Sequence, residues 1–250
     1  MTDTISIQLK HRTIREFKED EIPKENWDLL MEVAKRTATS NGMQTYSIIR
    51  VTDPKLKEEI SKVCKQEYVK RAPELLIFIV DQNRNYNIVK ERGADLGHTN
   101  SMDLFIQGFT DGALAIQNIV NAAESMGLGA LYLGSILNNP KEIIRLLNLP
   151  QLTFPILGLG LGYPNQDPQL KPRMDMKFRV FENTYRESEN ILEELKDYDK
   201  EMQTYYDLRN ANKRVDSFTD QVVFKYTNFN PIREDIVNDI VSQGFDLKLR

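Results

Sequence analysis

The chain has 250 residues, with 33 Lys and Arg against 37 Asp and Glu and a formal net charge of −4. Hydrophobic residues make up 40% and charged residues 28%, which excludes disorder, a collagen repeat and a disulfide scaffold as descriptions of the whole chain. The slight acidity offers no overall positive field, so nucleic acid is not expected as the main partner; the length suits one large domain or two small ones.

The first residues carry no basic stretch followed by an apolar one, so no secretory signal is expected. Residues 11–18 are rich in cations. Pro23 opens the first expected helix, and Trp27, Leu30, Met31 and Ala34 form its apolar face. Residues 37–45 are small and polar and predict a loop. Ser47–Val51 reads as a strand. Asp53 is a good N-cap and Pro54 suits a first helical position, so a helix runs to about Cys64. Leu75–Val80 is continuously apolar and predicts a strand buried on both faces.

Residues 103–126 form the longest expected helix. Its apolar residues are spread around much of the circumference, which predicts burial on more than one side, in a core or at a subunit interface. Gln107, Asp111, Gln117, Asn118, Asn121 and Glu124 make it too polar to span a membrane. Gly127 and Gly129 end it. Ala130–Leu133 follows as a strand, Pro140 begins a helix to about Leu147, and 154–163 is a further strand. Gly158, Gly160 and Gly162 leave one face of that strand bare; a packed helix is the simpler explanation and a flat ligand the other.

Composition shifts near 164, and 164–175 predict a loop rich in Pro, Asp and Lys. After Asn183 the chain is polar, charged and helical. Strands alternate with helices up to 163, so a layered α/β domain is expected. Its core spans 1–183; a helical extension over 184–250 packs on that core or on a partner subunit, within a single structural domain. No internal repeat is present.

Cys64 has no second cysteine to pair with, which suits a reducing cytoplasm. It reads as a semi-buried helix residue rather than a nucleophile, because only His11 and His98 could serve as its base. Two distant histidines and one cysteine build no metal site. There is no Gly-x-Ser-x-Gly elbow, no Walker loop and no Gly-x-Gly-x-x-Gly. The cations say more. In a helical turn Arg12 and Arg15 would share a face, and two guanidinium forks with the Thr13 hydroxyl suit a phosphate. On spacing alone a solvated basic patch is the simpler reading. Lys171 and Arg173, stiffened by Pro172, are a second cationic pair, and spacing does not say that the two pairs converge.

Taken together and in order, several segments carry a resemblance: His11-Arg12-Thr13-Ile14-Arg15-Glu16-Phe17, Gln44 before Ser47–Asp53, Ala122–Gly129, Tyr132-Leu133-Gly134, Leu170–Arg173, Glu182–Tyr185, and the tail from Tyr205 to Arg214. The chain resembles the flavin-dependent nitroreductase family, in its NADPH-preferring branch of oxygen-insensitive nitroreductases and bacterial flavin reductases. The resemblance implies an α/β (α+β) layered sandwich with a central, mostly antiparallel sheet flanked by helices. It also implies a long central dimerisation helix and a helical C-terminal extension. One FMN per subunit would sit at the interface of an intertwined homodimer.

By position, the resemblance implies that His11, Arg12 and Thr13 bind the flavin phosphate with Lys171 and Arg173. Arg15 would lie near N1 and O2, favouring the anionic reduced flavin. Thr39, Gln44, Gln66 and Tyr68 would contact the flavin from the facing region, some from the other subunit. Tyr132, Leu133 and Gly134 would follow the ring, with the Gly134 or Ser135 amide near N5. Arg209, with Lys213 or Arg214, would meet the NADPH 2′-phosphate. The implied chemistry is ping-pong: hydride passes from NADPH to FMN, and two electrons then pass to a nitroaromatic, quinone, free flavin or similar acceptor. No protein nucleophile or metal is needed. The alternative is a non-catalytic flavin-binding protein of the same fold, a sensor or flavin store. Two residues depart from the family's pattern. Thr13 replaces Ser and keeps the hydroxyl. Ser135 replaces a second Gly, which would strain the backbone if that position requires positive φ.

Overall fold

The apolar run expected as a doubly buried strand lies inside a four-stranded antiparallel sheet. The structure, a computed structural model, describes residues 3–209 and 216–247. In chain order its elements are α1 (Asp3–Leu9), α2 (Lys24–Lys35), β1 (Tyr46–Val51), α3 (Pro54–Cys64), β2 (Glu74–Asp81), α4 (Asn83–Glu91), α5 (Met102–Ser125), β3 (Gly129–Leu133), α6 (Pro140–Leu146) and β4 (Thr153–Gly162). Then follow α7 (Ile191–Glu194), α8 (Lys196–Arg209), α9 (Phe218–Thr227), α10 (Pro231–Glu234) and α11 (Ile236–Ser242). The sheet order is β1-β2-β4-β3. β2 is buried along all but its last residue and pairs with β1 on one side and β4 on the other.

Local chemistry explains the helix ends. The Asp53 carboxylate accepts the Lys55 N–H and Pro54 occupies the first turn of α3. Ser101 caps α5, and Gly127, at φ +77°, turns the chain out of it. α5 lies tightly against the sheet because Gly108 has no side chain: a Cβ there would stand 2.6 Å from the Thr45 carbonyl oxygen. Its buried face carries Phe105, Ile116, Ile119 and Val120, while Ile106, Phe109 and Leu114 on the same helix are exposed. Among the described residues, no helix is long and apolar enough to cross a membrane.

The bare face of β4 is filled by neither expected occupant. Gly158 lies under Leu133, Ile136 and Ile77; Gly160 under Ala72 and Leu131; Gly162 under Pro73 and Phe17. Neighbouring strands, two tight turns and the N-terminal segment supply those side chains, so the missing Cβ atoms let irregular chain, not a long helix or a ligand, sit on the strand.

Contacts divide the chain into two compact units, Met1–Pro168 with Asn230–Arg250, and Gln169–Phe229. The expected division fell at 183/184. The end of the chain joins the first unit: the Phe245 ring meets Phe105 edge-on at 5.0 Å, and the Leu152 N–H donates to the Gln243 carbonyl at 2.7 Å. The second unit packs α8 against α9, where the Asp199 carboxylate accepts the Thr219 N–H at 3.0 Å and its hydroxyl at 2.5 Å.

Candidate active site

Residues 11–18 are extended and run beside β3. Thr13 bridges Ala130 in parallel, the Ile14 N–H donates to the Ala130 carbonyl at 3.0 Å, and Phe17 bridges Pro164. The helical turn entertained for Arg12 and Arg15 is therefore corrected. In extended backbone, residues three apart face opposite ways, and the pairing at Ala130 and Pro164 imposes that geometry. Arg12 reaches toward Asp167, with 3.4 Å between Nη1 and Oδ1. Arg15 sits 6.0 Å from the centre of the Tyr68 ring, a cation–π contact. An ion pair of Glu16 with Arg71, 2.6 Å, draws the Tyr68 turn toward this segment.

His11 Nδ1 lies 2.5 Å from Glu124 Oε1, and its ring centre is 6.5 Å from that of Tyr132. The Tyr132 hydroxyl donates to Gln117 Oε1 at 2.8 Å. Burial, and then the Glu124 carboxylate, push the Tyr132 phenol up to about 12. The folded chain therefore holds that proton where an unfolded tyrosine, near 10.0, has released it. The resulting stability is full below the unfolded value and is lost as pH rises toward the folded one. Urea unfolding of wild type and Tyr132→Phe at about pH 9 and about pH 11.5 checks this. The variant is expected to lose less stability over that interval, and equal losses would refute the assignment.

Gln66 and Ser135 meet: the Ser135 hydroxyl donates to Gln66 Oε1 at 2.8 Å. Ser135 lies in a 3₁₀ turn, Gly134–Asn138, and is absent from the positive-φ residues. The strain that its replacement of Gly could have caused is therefore not there; the side chain instead fixes one end of the Gln66 amide. Cys64, 2% exposed, ends α3 beside them. Burial pushes its thiol up, opposed by Ser135, so it is a poor nucleophile. Leu133 is buried, and the Gly134 carbonyl accepts from Arg233 at 3.4 Å.

Thr39 and Gln44 are anchored elsewhere in the first unit. They flank a 3₁₀ turn, Ser40–Gly42, that is tied to α5 through Asp111. Lys171 and Arg173 belong to the second unit, where Arg173 Nη1 donates to the Lys171 and Pro172 carbonyls at 3.0 and 3.2 Å. The backbone of Arg209 closes α8. Lys213 and Arg214 lie outside the described residues. Glu124, Gln117 and Asp111, which hold His11, Tyr132, Ser40 and Thr45, are given no role by the sequence reading. The signal available in the sequence is a charged or amide group among the apolar residues of α5.

The first unit's residues fit an anionic cofactor group on one observation. Arg12 Nε is buried with no hydrogen-bond partner among the described residues. Arg12 is itself one of the residues lining a cleft of about 300 Å³, with Lys10, Gly129 and Gln166. A buried donor without an acceptor is costly to keep, and a phosphate oxygen would satisfy it. Asp167, the competing carboxylate, is 92% exposed and free to turn into water.

Comparisons with known proteins agree. The model of the Nitroreductase family matches residues 9–163, and that of the Nitroreductase family, C-terminal domain, matches residues 171–248. The chain belongs to the nitroreductase family. It is 36% identical over 223 residues to the oxygen-insensitive NADPH nitroreductase of Salmonella typhimurium, covering 89% of this chain and 90% of that one. It is 34% identical over 226 residues to the FMN reductase (NADPH) of Bacillus subtilis, covering 89% and 91%. The solved NADPH:FMN oxidoreductase of Vibrio harveyi, complexed with NAD⁺, superimposes with a TM-score of 0.86 at 32% identity over 100% of both chains. The layered sandwich with its antiparallel sheet is thus the fold of these reductases.

Proposed function

We propose that this chain is an FMN-dependent NADPH oxidoreductase that reduces nitroaromatics, quinones, free flavin or similar acceptors by ping-pong exchange. The observation that carries the reading is the unpartnered Arg12 donor beside β3, within a chain of the nitroreductase family. When bound, FMN supplies the two-electron chemistry, taking hydride from NADPH and releasing electrons to the acceptor.

The chain's own residues bind and tune. Arg12 is proposed to hold the phosphate by charge-assisted hydrogen bonds; His11 and the Thr13 hydroxyl, which alternate with it along the extended segment, carry the same role on the resemblance alone, as do Lys171 and Arg173. Arg15 supplies positive charge, steadied by Tyr68. Tyr132, Leu133, Gly134 and Ser135 line the ring with Gln66, and Thr39 and Gln44 meet it from the loop on α5. The Tyr132 phenol keeps its proton throughout the physiological range, so it acts as a neutral donor. Arg209, with Lys213 or Arg214, is proposed for the NADPH 2′-phosphate. Names of relatives support the acceptor class: one is a nitroreductase and another an FMN reductase. A homodimer is proposed because Ile106, Phe109 and Leu114 leave apolar surface on α5 open to water. The buried thiol of Cys64 suits the cytoplasm.

The test is the visible absorption spectrum of purified protein loaded with FMN, before and after anaerobic NADPH. Flavin bands that bleach are expected. Bands that persist with both NADPH and NADH would favour a flavin store, and a protein that takes up no FMN would overturn the reading.

A further inference from the structure

Asp111 is a carboxylate in α5 that is only 1% exposed. A group of that kind stays buried only when hydrogen bonds replace its water. Its oxygens divide four donors between them. Oδ1 accepts the Ser40 N–H at 2.8 Å and the Ser40 hydroxyl at 2.9 Å. Oδ2 accepts the Thr45 N–H at 3.4 Å and the Thr45 hydroxyl at 2.8 Å. One side chain thus grips residues 40 and 45, both ends of a tight loop.

The chain between those ends is unfavourable by itself. Asn41, Gly42 and Gln44 all have positive φ, at 51°, 71° and 53°. Residues other than Gly hold that conformation only where surrounding structure imposes it. On the outer side α4 contributes the rest: Arg84 donates to the Gln44 carbonyl, and Asn85 donates to the Met43 carbonyl at 3.1 Å. The loop is therefore built in advance, from a buried anion on one side and two polar side chains on the other.

We propose that Asp111 is the positioning residue for residues 39–45, holding Thr39 and Gln44 in the conformation in which they meet the flavin. This rests on the function proposed above. It assigns to the long helix a second task besides covering the sheet: setting the shape of a loop at the site.

Asp111→Asn is a sharp test because each carboxylate oxygen accepts a backbone N–H. Whichever way the new amide turns, its NH₂ group faces a backbone donor that cannot reverse. The hydroxyls could adapt, but the N–H groups could not. Wild type and variant are compared as FMN-loaded proteins by FMN dissociation constant, by visible circular dichroism of the bound flavin, and by melting midpoint. Asp111→Asn is expected to weaken FMN binding about tenfold, the order expected when a buried donor loses its acceptor, and to change the flavin dichroism. A second variant, Ser40→Ala with Thr45→Val, removes only the hydroxyl donors and keeps both N–H contacts. It is expected to move both flavin readouts in the same direction by a smaller amount, and it serves as the test if Asp111→Asn does not fold. A lower melting midpoint with unchanged flavin dichroism and FMN affinity, in whichever variant folds, would overturn the proposal and leave Asp111 a stabilising residue only. Wild-type protein that binds no FMN would instead overturn the functional reading beneath it.

Discussion

Replacing Arg12 with alanine is expected to raise the FMN dissociation constant by about ten- to a hundredfold. The estimate follows from losing a charge-assisted hydrogen bond of roughly 1.5–3 kcal/mol, with tenfold for each 1.4 kcal/mol. The geometry makes Arg12 the most exposed to this test. Its Nε is buried without an acceptor among the described residues, so the free protein holds a donor that only a ligand or water would satisfy. Arg12→Lys separates charge from shape. Lysine keeps the positive charge and loses the planar fork, so it should recover part of the affinity and not all of it. Equilibrium titration of apoprotein with FMN, followed by flavin fluorescence, measures both. An Arg12→Ala protein with wild-type affinity would remove Arg12 from the phosphate site.

Arg209→Ala is expected to raise the KM for NADPH by about tenfold or more and to leave that for NADH within about twofold, since one charge-assisted contact is worth roughly 1.5–3 kcal/mol. The two reductants differ by the 2′-phosphate alone, so the ratio of their KM values isolates that group from everything else the cofactor touches. Steady-state kinetics with each reductant and one fixed quinone acceptor gives the ratio. Equal changes for both would mean that Arg209 acts on the fold or on the nicotinamide end, and Lys213 and Arg214 would then be the next substitutions.

Elements that declare themselves by local chemistry were legible in the sequence. Asp53 and Pro54 mark the start of α3, the run 75–80 lies within β2, and the apolar stretch 103–126 differs from α5 by one residue at each end. α1 and α4 were not anticipated, and neither contains a buried residue. Both are short, seven and nine residues, so periodicity has few positions to register. The cations of residues 11–15 were visible because they are clustered in the sequence, but their conformation was not. Whether Arg12 and Arg15 share a face depends on Ala130 and Pro164, far along the chain. The same distance hid Glu124 as the partner of His11, 113 positions away, and Asp111 as the partner of Ser40 and Thr45. An acid on the buried face of a helix needs a partner, and only the tertiary fold names it.

The strand order has a consequence for how the molecule comes into being. β4, the last strand among the described residues to leave the ribosome, is inserted between β2 and β3. The run from Leu75 to Val80 therefore waits with one edge unpaired until residues 153–162 have been synthesised. Contacts between segments so distant close slowly, and an open apolar edge is the surface on which nascent chains associate wrongly. During synthesis that edge stays open from the emergence of β2 to that of β4, and it closes when the glycine-lined strand enters the gap.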